Sequence, residues 1–346
     1  MRSRAQFHPT AVGTVVPAAR RVVIKAVIHS RYGNPEVLQV TTLERPVPRK
    51  NEVLIRVRAA GLDYGTWHLM SGKPYAMRLA TGLTKPKQRV LGMDVSGVVE
   101  AVGAEVTRFK VGDAVFGASS RTFAEFTCAR EDQLCLKPER LSFEQAAASA
   151  ISGVTALIGL RDVAKVKPGQ SVCVIGAGGG VGSWAVQLAR HFGAHVTAVC
   201  STSKVEFVRS LGATSIIDYT KVPLPTDGCF DVILDFAGNR PLSVLRTALA
   251  PRGTLVLGGG EGGDRFFGGM GRTLRAALWS MFLKQRLAML VGFVKPEPLQ
   301  ALAEILEQPG VTPAVDRTFP LEQAADAMRT LVSSQVRGKL VLRVAA

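Results

Sequence analysis

Apolar residues fall along this chain in two rhythms. From Val22 to about Cys135 they come as short runs, at Val22 to His29, Glu52 to Ala60, Val95 to Val102, Ala114 to Phe116 and Ala124 to Cys128. Turn signals at Gly33-Asn34-Pro35, Val102-Gly103 and Val111-Gly112-Asp113 separate them. Short strands with frequent turns predict a compact, barrel-like β domain. Further on, strand-like runs alternate with helical ones. Strands are predicted at Val172 to Ile175, His195 to Cys200, Ser215 to Asp218, Asp231 to Phe236 and Thr254 to Leu257. Helices are predicted between them at Ser183 to Phe192, near Ser203 to Leu211, and at Leu242 to Leu249. Unbroken apolar runs suit strands buried on both faces. Their alternation with helices predicts a doubly wound parallel sheet, so the chain is read as α/β with a β domain attached.

The junction of the first strand with the first helix reads SVCVIGAGGGVG, residues 171–182. Glycines let the backbone turn sharply and approach a ligand that side chains would block. The following helix directs unpaired N–H groups and its positive dipole end at the turn, which suits a pyrophosphate. The strict fingerprint spacing falls on Ala177, Gly179 and Gly182, so its first glycine is missing. Glycine-rich turns also occur in other α/β folds, and the repeated alternation favours the dinucleotide reading. Gly178, Gly179, Gly180, Val181 and Gly182 are the expected cradle. An NAD-type site carries an acid at the end of the second strand. Here that strand runs into Cys200-Ser201-Thr202-Ser203-Lys204, and Ser201, Thr202 and Lys204 read instead as partners for a 2′-phosphate, predicting NADPH.

At 346 residues the chain has room for two domains, and 47% apolar content marks it as globular. No apolar run reaches the roughly 18 to 20 residues of a membrane span. A net charge of +16 raises nucleic acid as a partner. The chain has only 6% aromatics and no base-reading motif, so nucleic acid is not expected. The basic excess is instead local: Lys73, Arg78, Lys85, Lys87 and Arg89 lie between Ser71 and Gly92 with no acid. Arg2, Arg4, Arg20 and Arg21 belong to residues 1–21, which have no signal-peptide core and read as a disordered basic extension. Five scattered cysteines form no disulfide framework, and reduced thiols fit a cytoplasmic protein.

The stretches GMDVSGVVEAVGAEVTRFKVGDAVFG, ISGVTAL, KPGQSVCVIGAGGGVGSWAVQLAR, LGATSIIDY, FDVILDFAGN, PRGTLVLGGG and RGKLVL occur in the order and spacing of the medium-chain dehydrogenase/reductase superfamily. From Ile24 to Val344 the chain most resembles its zinc-free quinone oxidoreductase branch. The resemblance implies a GroES-like β-barrel catalytic domain, residues 22–149 plus 296–346, and an inserted Rossmann dinucleotide-binding domain, residues 150–295. It places Thr155 beside the nicotinamide, Tyr219 near the adenine end, and Asn239, Gly258 and Gly259 on the cofactor. Where zinc-dependent members carry their ligands, this chain has Asp63, Met93, Asp94 and Ser152, and the structural four-cysteine cluster is missing. Zinc needs about three His, Cys or carboxylate ligands, so no metal is expected. Asp63 and Asp94 are left either as a hard-cation pair or as hydrogen-bonding carboxylates. His68 lies in the loop that lines the nicotinamide pocket in the family, and it or Tyr64 is the candidate proton donor, with Asp63 beside them. A structural role for His68 has equal standing.

Without a Lewis acid, a suitable acceptor must stabilise the charge left by hydride itself, as quinones and α,β-unsaturated carbonyls do. The implied activity is NADPH-dependent reduction of such a hydrophobic substrate by a homodimer. Two rivals are a zinc-independent alcohol/aldehyde reductase on the same scaffold and a non-catalytic nucleotide-binding protein associated with a membrane or partner. The segment 264–290, apolar at Leu274, Leu278, Met281 and Phe282 with Arg275, Lys284 and Arg286 beside them, has three readings: pocket wall, dimer contact or peripheral membrane contact. Family position favours the first two, because the strand expected at Met289 to Phe293 is where related enzymes pair their sheets.

Overall fold

The computed structural model describes residues 22–259, 263–292 and 294–344. The expected 1–21 extension lies outside them. Seven strands open the chain: β1 (Val23–Ile28), β2 (Gln39–Glu44), β3 (Glu52–Leu62), β4 (Asp94–Val102), β5 (Ala114–Ala118), β6 (Phe126–Arg130) and β7 (Leu134–Leu136). Six more form the second sheet: β8 (Ser171–Ile175), β9 (His195–Cys200), β10 (Ser215–Asp218), β11 (Phe230–Asp235), β12 (Leu249–Leu257) and β13 (Arg286–Met289). The chain then returns to the first sheet with β14 (Val315–Pro320) and β15 (Lys339–Arg343).

The barrel-side sheet runs β14-β15-β3-β4-β5-β7, with β6 also on β3, and β1 pairs with β2 as a separate hairpin. The long strand β3 closes it because Val53, Ile55, Val57, Ala60 and Leu62 are buried in one core with Leu340 and Leu342 of β15. The second sheet is parallel throughout, in the order β10-β9-β8-β11-β12-β13. Its strand order reverses between β8 and β11, and the crevice beyond the C-terminal ends at such a switch point is where open α/β sheets bind ligands.

The helix Gly180–His191 is buried nearly all round, from Gly182 to Ala189, because the sheet covers one side and the helix Ala150–Leu157 the other. Trp184 is fully buried there, its indole N–H donating to the Ala148 carbonyl at 3.2 Å. The helix Pro296–Glu307 buries Leu299, Leu302 and Leu306 in this same core, so its apolar face belongs with the parallel sheet although the sequence divides the chain at Pro296. Among the described residues no helix is long and apolar enough to cross a membrane.

Two local expectations change. The strand expected at Met289 to Phe293 begins three residues earlier and spans Arg286–Met289, because Leu287 is the residue that buries against the sheet while Met289 is exposed; Phe293 lies outside the described residues. His68 stands on a helix, Tyr64–Ser71, instead of a loop. Asp63 caps that helix, its Oδ1 accepting from the Thr66 amide at 2.7 Å, and Gly72 ends it in the left-handed region at φ +63°.

Candidate functional site

Beyond Ile175 the chain turns at Gly176, whose φ is +79°. A Cβ on Gly182 would come within 2.1 Å of the Gly176 carbonyl oxygen, so only glycine lets the helix sit against the turn. On Gly179, the helix N-cap, a Cβ would meet only that same oxygen, at 3.4 Å, which leaves an open cradle in front of the first-turn amides of Gly180, Val181 and Gly182. At the end of β11 the buried Asp235 fastens the opposite wall. Its Oδ1 accepts from the amides of Ala237 and Gly238 at 3.2 and 3.1 Å, and its Oδ2 from Arg272 at 2.5 Å. Its carbonyl oxygen receives both the Gly258 and Gly259 amides at 3.0 Å. Gly258, Gly259 and the exposed Asn239 therefore gather at the same end of the sheet as the glycine turn.

At the end of β9 the structure adds residues that the sequence did not reveal. Thr202 Oγ1 donates to Asp218 Oδ2 at 2.5 Å, and with Thr220 it holds that carboxyl low, at about 2. The acid missing from β9 is thus supplied by the next strand. Ser201 Oγ lies 3.3 Å from Ser203 Oγ, and Lys204 Nζ donates to the Ser334 carbonyl at 3.0 Å, with burial lowering its pKa. Arg337 donates to the Ser203 carbonyl at 3.0 Å, and Arg240 stacks over the exposed Tyr219 ring at 5.6 Å. Arg337 sits within the RGKLVL stretch, but only the fold brings it to β9.

Across the glycine turn, the barrel contributes a buried ionic cluster. The Gly338 amide donates to the Gly178 carbonyl at 3.0 Å, which sets Lys339 against the glycine turn. Lys339 Nζ lies 2.9 Å from Asp94 Oδ2 and 3.9 Å from Asp63 Oδ2. Asp94 Oδ1 accepts the Ile151 amide at 2.7 Å. Burial pushes the Asp94 carboxyl up, and the Lys339 ammonium opposes this. Asp63 Oδ2 is buried without a hydrogen bond. A Cβ on Gly180 would touch Lys339 Cδ at 3.1 Å and Ser152 Oγ at 3.4 Å, so the lysine stem lies directly on the start of the nucleotide helix.

The candidate proton donors separate. His68 Nδ1 is 2.7 Å from the Lys73 carbonyl, which can only accept, so Nδ1 carries the proton. Neutral His68 is therefore an acceptor at Nε2 and becomes an acid there only as the imidazolium. The Tyr64 hydroxyl donates to the Leu331 carbonyl at 3.4 Å and is directed into the barrel core instead of toward Lys339. Thr155 Oγ1 donates back to the Ile151 carbonyl at 2.6 Å and packs against the Gly292 backbone. Asp63, Asp94, Ser152 and the glycine turn thus converge on Lys339. Ser201, Thr202, Lys204 and Tyr219 form a second group at the end of β9.

A zinc ion does not suit these donors. Asp94 already has both oxygens engaged, by an ammonium and an amide, and Met93 Cε and Sδ pack against Gly65. Among the described residues no group of three His, Cys, Asp or Glu is arranged to hold a metal. The glycine cradle, by contrast, fits a pyrophosphate.

Residues 49–204 match the family model for an alcohol dehydrogenase GroES-like domain, and residues 211–342 match that for a zinc-binding dehydrogenase. A quinone oxidoreductase of Pseudomonas aeruginosa is 32% identical over 334 residues, covering 92% of this chain and 99% of the relative. A mitochondrial NAD(P)H oxidoreductase of Mus musculus is 32% identical over 375 residues, covering 96% and 92%. The solved quinone oxidoreductase from Coxiella burnetii superposes with a TM-score of 0.80 at 29% identity, covering 94% of this chain and 100% of that one.

Proposed function

The chain belongs to the medium-chain dehydrogenase/reductase superfamily, in its quinone oxidoreductase-like branch, and we propose that it is an NADPH-dependent, zinc-free oxidoreductase reducing quinones and α,β-unsaturated carbonyls. The observation that carries this reading is the junction of the glycine turn with the buried Asp63–Asp94–Lys339 cluster through the Gly338–Gly178 hydrogen bond. A bound nicotinamide coenzyme supplies hydride there. The helix amides of Gly180 to Gly182 hold its pyrophosphate. Ser201, Thr202, Lys204 and Arg337 form the 2′-phosphate site, and their two cations outweigh the single charge of Asp218.

Lys339 pairs with Asp94 and lies 3.9 Å from Asp63 Oδ2, which fixes the wall of the barrel against the first turn of the nucleotide helix. The His68 imidazolium donates a proton from Nε2 while the Lys73 carbonyl orients its ring. For an enone the balance is one hydride to the β-carbon and one proton to the α-carbon, replacing C=C by two C–H bonds. No electrophilic metal is required, because the conjugated acceptor delocalises the charge itself. The five free cysteines support a reducing compartment such as the cytoplasm. The edge position of β13 supports a homodimer formed by sheet pairing.

The test is an acceptor panel followed by loss of NADPH absorbance, with and without EDTA. Quinones and enals are consumed in both conditions and saturated ketones are not, and with NADP+ in place of NADPH ethanol gives no rise in absorbance. Chelator-sensitive oxidation of simple alcohols, with no quinone or enone turnover, refutes the reading.

A further inference from the structure

The acid-free stretch from Ser71 to Gly92 carries five basic residues, and the structure sets one of them apart. Lys85, Lys87 and Arg89 are exposed, as solvated charges are, whereas Arg78 is half-buried. Its Nε donates to the Gly72 carbonyl at 2.9 Å. Its guanidinium lies over the rings of both Tyr32 and Tyr75, 4.6 Å from each centroid, within the range where a ring face attracts a cation. Both rings are themselves held. The Tyr32 hydroxyl donates to the Gly82 carbonyl at 2.7 Å and lies 2.9 Å from Thr81 Oγ1. Tyr75 is pinned by the segment that follows β12: its amide donates to the Arg265 carbonyl at 2.9 Å, and its ring meets that of Phe266 edge to face at 5.4 Å.

What this assembly holds is the turn that orients His68. Gly72 ends the helix Tyr64–Ser71, its amide donating to the His68 carbonyl at 2.8 Å. A Cβ on Gly72 would come within 2.6 Å of the Tyr32 ring and 2.8 Å of Arg78 Nε, so turn, ring and guanidinium are in direct contact. The peptide unit joining Gly72 to Lys73 has both polar atoms engaged, the carbonyl by Arg78 and the amide by Ser71 Oγ at 3.3 Å. The next carbonyl along, that of Lys73, accepts from His68 Nδ1 at 2.7 Å. A directed donor therefore stands one peptide away from the group that selects the imidazole tautomer. If that turn rotates, the Lys73 carbonyl leaves Nδ1, and the ring can carry its proton on Nε2 instead.

We propose that Arg78 is a positioning residue for His68: held by Tyr32 and Tyr75, it fixes the Gly72–Lys73 turn, and through the Lys73 carbonyl it keeps Nδ1 protonated and leaves Nε2 as the atom that exchanges a proton. The proposal rests on the reading of His68 as the proton donor. A guanidinium suits this task where an ammonium does not, because its plane stacks on aromatic rings while an N–H of fixed direction bonds the carbonyl. A role through charge alone would be met equally well by lysine, which gives the test its control.

The experiment is NMR of the full chain labelled with 15N in its histidine rings, at a pH where the imidazoles are neutral, with the His68 signals identified by their loss in His68→Ala. Arg78→Met should move the His68 tautomer ratio toward the Nε2–H form by about fivefold or more, the worth of roughly one hydrogen bond. Its kcat for an enone should fall about tenfold with the KM for NADPH unchanged. In the His68→Ala background the same substitution should cost less than about twofold, because the two residues act in series. Arg78→Lys should restore neither the ratio nor kcat. Tyr32→Leu, which removes one ring and keeps the donor, should shift the ratio the same way by less, and it carries the test if the Met variant does not fold. An unchanged tautomer ratio in these variants overturns the proposal, as does full rescue by lysine or an equal loss of kcat with and without His68. A shifted ratio with little loss of turnover in His68→Ala supports the positioning and refutes the donor role of His68, so the two failures are told apart.

Discussion

Replacing Lys339 by Met removes the side-chain cation that lies, among the described residues, within hydrogen-bonding distance of the buried Asp94 carboxylate. Asp94 is 0% and Lys339 2% exposed, and Nζ to Oδ2 is 2.9 Å, so little solvent screens the pair. Removing one partner of such a pair costs about 3 to 5 kcal/mol, whereas replacing both by apolar groups is often nearly neutral. Lys339→Met and Asp94→Ala should each lose stability in that range. The double variant should lose less than their sum by about 3 kcal/mol. Urea unfolding followed by tryptophan fluorescence measures all four proteins. The sign of the pH dependence adds a second check. Burial already raises the Asp94 carboxyl, and without the ammonium it rises further. A carboxyl with a raised folded pKa contributes stability that is present at low pH and lost as pH rises through that pKa. The deficit of Lys339→Met should therefore shrink from pH 8 to pH 5. A neutral single variant, additive effects or a pH-independent deficit would refute the buried-pair reasoning.

Lys204→Ala should lower the NADPH/NADH preference only partly, because Arg337 faces the same site, whereas Lys204→Ala/Arg337→Ala should lower it by at least about tenfold. Ratios of kcat/KM for the two coenzymes decide this, and an unchanged ratio in the double variant places the phosphate elsewhere. His68→Ala should reduce enone turnover about a hundredfold and quinone turnover less, since the reduced quinone oxygen is less basic. Equal small losses return His68 to a structural role. Iodoacetamide at pH 8 should add one adduct to the intact protein, slowly and at Cys229, because that thiol is exposed although partial burial and the neighbouring Asp227 raise its pKa too. Burial pushes the Cys128 and Cys135 thiols to about 11 and raises those of Cys173 and Cys200. Two or more rapid adducts by mass spectrometry contradict that.

The parallel sheet was legible because its strands are short apolar runs ended by turn residues. The bounds of β9 and β10 coincide with the sequence reading. The strand β2, QVTTLE, was not legible, since it pairs only with β1 and exposes much of its length. The helix carrying His68 had a readable signal in Asp63, three residues before Thr66, and in Gly72 after its last turn, but its weakly amphipathic sequence gave no helical stripe. The glycine cradle was local and therefore readable. The Asp94–Lys339 pair joins residues 245 positions apart, Arg337 reaches Ser203 across 134 positions, and Asp218 comes to β9 only through the pairing of β10 beside it. No local pattern encodes these contacts, and they define most of the cleft's electrostatics.

The proposed reaction carries hydride from NADPH to a conjugated acceptor without a metal. Incubating the EDTA-treated protein with NADPH deuterated at C4 and an enal, then locating the label by mass spectrometry, tests it most directly. Deuterium at the β-carbon of the saturated aldehyde, carried from a single face of the coenzyme, is the predicted result. Saturated product without label, label at the carbonyl carbon of an allylic alcohol, or no product until zinc is added would contradict the account.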